Sequence, residues 1–572
     1  MKLIRGLTVN FMISSFSFRT IFWGGLVLLL TVPAQAQQVI SQEGEWTEFR
    51  PATKNDISKP LTASEFEPPL LVGKIDFSRD TEAVFETQRS SVRVGSVLVQ
   101  TTATIDHAMF EKAIEPLLGQ ELDSDELAKL VQQITEIARS NGMILADAHI
   151  PPQKVELGIV KIVLNVGSID EIRIEGSTNK ALKSLLDPLV GQTTVRGELE
   201  RRLMLANNIP QIIVRKTELI KEKGRQILLV SVEEKPKTKG RLVLDNFGSQ
   251  RIGPIRARLK VEAVALLDDS DYLDATFRTN PVDPGEMVAA SSVYGIGIGN
   301  NGTRAEIAVA WSKSNIDPRN GFDRRGGRSQ YASLSLSHPV MRSRTANLWL
   351  EGQFEYLKID QKSLGALLQS DTVVTMNAGL SASKRLGAGW LRSGAQIRQG
   401  FGVFGASGAT GPYSSRFDAD GRFTSAKAWV NWAGKVADDL TLRVAVSGQL
   451  ASEPLLSSEE MGLGGSYSGR AFEYYEKSGD QGIAAFVEIG HEISQPLNWI
   501  DRLQPYVFLD GGYVDNLNGG FGGGTLVSSG GGIRAEIGKL DLQFETALPL
   551  HQSSVGGVQS SPQFNVQVGM EF

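Results

Sequence analysis

The chain of 572 residues contains no cysteine. For a protein leaving the cytoplasm, this excludes a disulfide framework and thiolate metal sites. Histidine is scarce too. His107, His149, His338, His491 and His551 are scattered, with no H-E-x-x-H or comparable ligand spacing. No P-loop occurs, and no catalytic constellation stands out. The reading is therefore no metal, no cofactor and no enzyme. A net charge of −5 offers no basic footprint for nucleic acid. Beyond residue 36 no apolar run reaches the ~20 residues that a membrane helix needs. If the mature chain lies in a membrane, it must be there as a closed β-barrel.

What is present begins with an export signal. Lys2, Arg5 and Arg19 precede the apolar run from Ile21 to Val32, and small residues follow at Ala34 and Ala36. The run is too short for a span, and its flanks are those of a secretory signal cut after Ala36, making 1–36 a signal peptide. Residues 37–91 carry Pro51, Pro60, Pro68 and Pro69 among mixed charges, which reads as an extended linker and candidate plug segment.

The C-terminal half alternates. In "QFNVQVGMEF", Phe564, Val566, Val568, Met570 and Phe572 oppose Asn565, Gln567, Gly569 and Glu571. "NLWLEGQFEY" sets Leu348, Leu350, Phe354 and Tyr356 against Trp349, Glu351, Gln353 and Glu355. "LTLRVAVSGQL" and "LDLQFETALPL" repeat the pattern, with Arg443, Asp541 and Glu545 on the second face. Such charges would be costly in a dry sandwich core, whereas a water-filled lumen accommodates them. About sixteen such segments fit between Gly240 and Phe572, an even number as bacterial barrels require. Six of the eight tryptophans lie there, suited to interfacial girdles.

Upstream the period changes. "LDSDELAKLVQQITEIARSNG" reads as a helix with Asp123 as N-cap, Glu126 completing a capping box, and Gly142 as the stop. Leu127, Leu130, Val131, Ile134 and Ala138 form its buried stripe. The order of one strand, two helices and two strands occurs twice, over 92–167 and 168–236, roughly seventy residues each. "GIGNNG" at Gly297 to Gly302 matches a dinucleotide fingerprint, but an alternating strand follows it instead of the required helix, so it reads as a hairpin turn.

Paired domains of this order feeding a barrel resemble the two-partner secretion transporters, which export haemolysins and filamentous adhesins. Four stretches carry the resemblance: "GMILADAHIPPQ", "LVLDNFGSQRIGPIR", "GLGGSYSGRAFEYYEKSGDQG" and "FLDGG". The fold it implies is an all-β transmembrane barrel of about 16 antiparallel strands, preceded by two α+β polypeptide-transport-associated (POTRA) domains, 92–167 and 168–236. The barrel would occupy 237–572, with a lumenal loop over 453–482. In the family this loop carries a V/I-R-G-F/Y motif. The matching residues are Gly469, Arg470, Ala471 and Phe472, with glycine in place of the aliphatic residue and alanine in place of glycine.

Alternation in "YVFLDGGY" turns Phe508, Asp510 and Gly512 inward, away from Val507, Leu509 and Tyr513. An arginine entering a lumen needs an acceptor, and a carboxylate can take it through two parallel hydrogen bonds. The resemblance likewise pairs Arg470 with Asp510. It also makes the terminal Phe572 a barrel signal. It implies a bacterial outer-membrane location with the POTRA domains in the periplasm. The implied partners are a secreted haemolysin- or adhesin-like exoprotein with an N-terminal secretion domain, outer-membrane lipid and the barrel assembly machinery. An outer-membrane insertase of the same superfamily is the alternative, and a passive porin a more distant one.

Overall fold

The computed structural model describes residues 75–76, 91–155, 157–248, 253–315, 325–409, 411–520, 522–553 and 561–572. The segment read as a signal peptide, 1–36, and most of the segment read as a linker, 37–91, lie outside the described residues.

Two α+β units come first. In the first, Ser96–Gln100 pairs parallel with Ile159–Asn165, and Asp147–His149 pairs antiparallel with the same strand. The helix Ser124–Ser140 covers the sheet. Its capping box forms as the sequence predicts: Asp123 accepts from the Glu126 N–H, and Glu126 accepts from the Asp123 N–H. Leu130, Val131, Ile134 and Ala138 are buried against Val160, Ile162 and Leu164.

The second unit repeats the arrangement. Glu171–Glu175 runs parallel to Arg225–Glu234, and Ile212–Glu222 antiparallel to it. Helices Lys180–Leu186 and Arg196–Ala206 pack on one face. Within the segment read as an extended linker, Ile75–Asp76 adds to the sheet as a parallel strand opposite Thr217 and Glu218. An unpaired strand edge is a template for any extended segment, and here the chain's own upstream residues use it.

From Thr238 the chain forms a closed antiparallel barrel. Among the described residues it has sixteen strands, because Ile493–Leu497 only prolongs Gln481–His491 along the same neighbour, Ile500–Asp515. The first strand, Thr238–Asp245, pairs with the last, Gln563–Glu571, from Arg241 opposite Glu571 to Asp245 opposite Gln567. Gly240 and Phe572 then exchange both backbone hydrogen bonds at 2.9 Å. Closure satisfies the strand edges, the requirement a bilayer imposes on any sheet. The alternation predicted from sequence holds: Leu350, Phe354, Val507, Leu509, Phe544, Phe564 and Met570 face outward, while Glu355, Asp510 and Glu545 are buried inside. No described helix is long and apolar enough to cross a membrane.

The lumen departs from the expected water-filled channel. On one side Tyr331, Leu357, Ile359 and Val373 of the wall bury Ala419, Phe423, Leu455 and Leu456, which arrive from connections at the rim far from the α+β units. The wall keeps its period of two, but its upper inward positions are apolar because loops fold back onto them.

The second unit docks on the near rim. The Asn179 side chain donates to the Asp269 carbonyl at 2.8 Å, and Lys180 N–H to the Asp269 carboxylate at 2.7 Å. Arg202 reaches the Asn300 carbonyl, and Arg304 and Arg342 both hold Asn208. "GIGNNG" is the turn between Met287–Ile298 and Thr303–Asn315. Its last glycine, Gly302, has φ 81°, and a Cβ there would lie 2.5 Å from Leu205. Gly302→Val should therefore strain the turn by about 1–2 kcal/mol and push the second unit off the rim. Faster proteolysis between residues 235 and 238, with unchanged heat-modifiable barrel migration, is the expected result. Unchanged protease resistance would show that this contact does not hold the unit.

Candidate functional site: an arginine-docked loop in the lumen

Residues 452–480 connect the strands Leu440–Ala451 and Gln481–His491. The predicted loop, 453–482, overlaps them, but Gln481 and Gly482 already belong to the wall. A short hairpin of Met461–Leu463 with Lys477–Gly479 carries the tip inward. At the tip Gly469 has φ 74°, a left-handed conformation that glycine adopts without a Cβ penalty. Ala471 does not have positive φ, so alanine at this position of the motif carries no such strain. Ala471 and Phe472 are buried against Leu463, Tyr506, Phe508, Val514 and Leu526.

Arg470 meets three carboxylates. Its Nη1 donates to Glu488 at 3.1 Å and to Glu545 at 3.0 Å. Its Nε lies 3.2 Å from Asp510 Oδ2, an ion pair without hydrogen-bond alignment. The ion pair with Asp510 forms, but without the two parallel hydrogen bonds anticipated for it. Asp510 instead holds the loop backbone: Oδ1 accepts the Gly469 N–H at 2.6 Å, the Arg470 N–H at 3.3 Å and the Ser528 hydroxyl. The guanidinium carbon sits 4.1 Å from the Phe508 ring centroid and 5.4 Å from that of Phe486, adding cation–π attraction.

The remaining residues of "FLDGG" have steric roles. A Cβ on Gly512 would lie 2.7 Å from Leu463 of the hairpin. On the adjacent strand Gly524–Ile537, Cβ atoms at Gly530 and Gly532 would lie 2.7 Å from Phe508 and 2.6 Å from Tyr506. Small residues here let the two rings lie along the wall beneath the arginines.

Sequence reading singled out Arg470 and Asp510 but missed the network around them. Arg534 forks onto Glu488 at 2.7 and 3.0 Å and lies 3.7 Å from the Tyr506 centroid. Arg443 donates to Glu488 at 2.9 Å, and Tyr506 to Glu545 at 2.8 Å. Three arginines thus face three carboxylates. Inward parity in "FVEIGH" and "LDLQFETAL" marks Glu488 and Glu545 as lumenal, but it does not bring them to one arginine. Phe572 lies at the barrel seam, paired with Gly240. Among the described residues no group of three or more His, Cys, Asp or Glu could hold a metal.

Removing one member of a buried ion pair costs about 3–5 kcal/mol, because the other charge is left uncompensated. Asp510→Ala removes both the ion pair and the backbone acceptor, whereas Asp510→Asn keeps a carbonyl for the Gly469 N–H. Trypsin should therefore cut after Arg470 fastest in Asp510→Ala, at an intermediate rate in Asp510→Asn and slowest in the unaltered protein. Equal resistance of all three, each shown to be folded by heat-modifiable migration, would mean that Asp510 does not dock the tip.

Comparison with known proteins places this geometry. Solved structures of CdiB from Escherichia coli (TM-score 0.74, 19% identity, 95% of this chain and 100% of that chain) and from Acinetobacter baumannii (TM-score 0.68, 16% identity, 94% and 99%) share the fold. In sequence, the outer membrane transporter CdiB of Escherichia coli O6:K15:H31 is 22% identical over 480 residues, covering 81% of this chain and 80% of that protein. The heme/hemopexin transporter protein HuxB of Haemophilus influenzae is 22% identical over 392 residues, covering 65% and 67%. Residues 92–167 match the POTRA domain of ShlB type. Residues 224–535 match the haemolysin secretion/activation proteins ShlB/FhaC/HecB, the family to which this chain belongs.

Proposed function

We propose that this protein is an outer-membrane transporter that takes an unfolded exoprotein from the periplasm and exports it through its barrel. The observation that carries the reading is a closed barrel with an α+β unit docked at one rim and a lumen occupied by a loop held through ion pairs. A passive porin has no need of the docked unit or of an arginine-pinned tip. The barrel lies in the outer membrane and the POTRA domain in the periplasm.

In the mechanism we infer, the two units capture an extended segment of the exoprotein by strand addition. The pairing of Ile75–Asp76 with the second unit supports this, since that edge already accepts a strand. We read 168–236 as a second POTRA domain because it repeats the strand pairing of 92–167. The substrate would be haemolysin- or adhesin-like, carrying an N-terminal secretion domain. Outer-membrane lipid would bathe the apolar belt, and the barrel assembly machinery would insert it.

The lumenal loop must leave its dock for a chain to pass. Ion pairs suit such a switch, because a docked state held by a few charge-assisted bonds can be shifted by a ligand that competes for them. The transporter then has no catalytic residue; its motif residues Gly469, Arg470, Ala471 and Phe472, with Phe508, Asp510 and Gly512, set the loop equilibrium.

Deleting residues 92–167 should abolish export of the cognate exoprotein while a heat-modifiable barrel still assembles, because the barrel strands close without this unit. Immunoblots of culture medium and outer-membrane fractions measure both. Export at the unaltered level would remove the first unit from substrate capture.

A further inference from the structure

A second arginine, outside the motif, grips the root of the same loop. Residues 401–423 connect Gly389–Gly400 to Thr424–Lys435 at the extracellular rim, and Arg416 lies within them. Its side chain is 4% exposed. Nη1 donates to Glu460 at 2.9 Å, to Asp480 at 2.7 Å and to Asn516 at 3.0 Å, while Nε and Nη2 fork onto Asp418 at 3.1 and 3.0 Å. Glu460 and Asp480 flank the hairpin of the lumenal loop, just before Met461–Leu463 and just after Lys477–Gly479, and Asn516 begins the next extracellular connection. One guanidinium therefore joins three separate connections.

The surroundings are built around this contact. Asp480 also accepts the N–H groups of Leu455 at 2.7 Å and Leu517 at 2.8 Å. Ser478 donates to Glu460 at 2.5 Å. Burial pushes the Glu460 carboxyl up to about 7, against the pull of Ser478 and Arg416. The adjacent Glu459 is held from the opposite side by Arg398 of the wall, Nη2 to Oε1 at 3.2 Å. Gln449 donates to the carbonyls of Glu459 and Asp480, both at 3.0 Å, tying the two sides of the hairpin together. A Cβ on Gly520 would lie 2.5 Å from Arg416 Nη2, so the turn after Asn516 is shaped to admit the guanidinium.

The connection that carries Arg416 is turned inward. Ala419 and Phe423 are buried with Leu455 and Leu456 against Ile359 and Val373 of the wall. Ser415 N–H donates to Asp371 of the wall at 3.1 Å, and its hydroxyl accepts the Ser457 N–H at 3.1 Å. Residues 411–423, as far as they are described, thus sit over the lumen as a cap, fastened to the loop root.

We propose that Arg416 is a positioning residue for transport, an outer latch that binds this cap to the root of the lumenal loop and to the Asn516 turn, and that the exit opens when the latch parts. The inference rests on the export reading for its biological use, but the latch itself is a property of the barrel that ion flow can report. It acts separately from the tip dock, since Arg470 and Arg416 share no carboxylate. Lysine in place of Arg416 would keep the charge but cannot fork onto Asp418 while also reaching Glu460.

The absence of cysteine makes a direct test clean. Purified full-length protein carrying Ser415→Cys and Ser457→Cys is compared in planar bilayers when oxidised and when reduced, beside Arg416→Ala, Arg416→Lys and Gly520→Ala. Oxidation should suppress the larger open levels and reduction return them. Arg416→Ala and Gly520→Ala should raise conductance, with Arg416→Lys between Arg416→Ala and the unaltered protein. In cells, the oxidised pair should lose export and regain it on reduction. Conductance and export indifferent to oxidation, in protein shown to be cross-linked, would overturn the latch even if the Arg416 variants fail to fold. If conductance responds while no exoprotein leaves the cell even with unaltered protein, the latch stands and the export reading falls.

Discussion

An arginine buried inside a membrane barrel must find carboxylates, and much of this architecture follows from that requirement. A guanidinium in a low-dielectric lumen is tolerated only where its charge is paired and its donors are used. Arg470 finds three carboxylates on three different strands, Glu488, Asp510 and Glu545. Those strands can converge on one tip because the sheet is closed, and the tip can approach because Gly512 leaves space for Leu463. Balance within the network matters more than any single pair. Glu488 can serve three arginines at once because Asp510 and Glu545 supply the other two negative charges of the network.

The same rule is applied again at the extracellular end. Glu459 and Glu460 are neighbours in sequence, yet they pair with arginines from a wall strand and from another connection. The loop is thereby held at its root and at its tip by different cations. The two holds share no carboxylate, so neither depends on the charges of the other.

The apolar filling beside the loop completes the closure. Phe423, Leu455 and Leu456 of the connections are buried against inward wall residues, so this side of the lumen is filled partly by ordinary hydrophobic burial. The docked α+β unit at the other rim is held mainly by hydrogen bonds to turn carbonyls and to Asp269. Leu205, lying against the turn at Gly302, adds an apolar side chain to that contact.

Local chemistry was legible in the sequence wherever a feature depends on near neighbours. The capping box at Asp123 and Glu126 needs only a helix turn, and the outward row Phe564, Val566 and Met570 needs only a period of two. The inward direction of Asp510 follows from the same period. What depends on closure was not legible. No spacing reveals that Glu488 and Glu545, 57 residues apart and on non-adjacent strands, share Arg470. Nor does any spacing show that Arg416 reaches Glu460, Asp480 and Asn516, or that Ile75 and Asp76 complete a sheet. Alternation determined which side chains face the lumen; only the closed barrel, with its loops folded back inside, decided which of them meet, because contacts across a lumen are set by the curvature and stagger of the whole sheet.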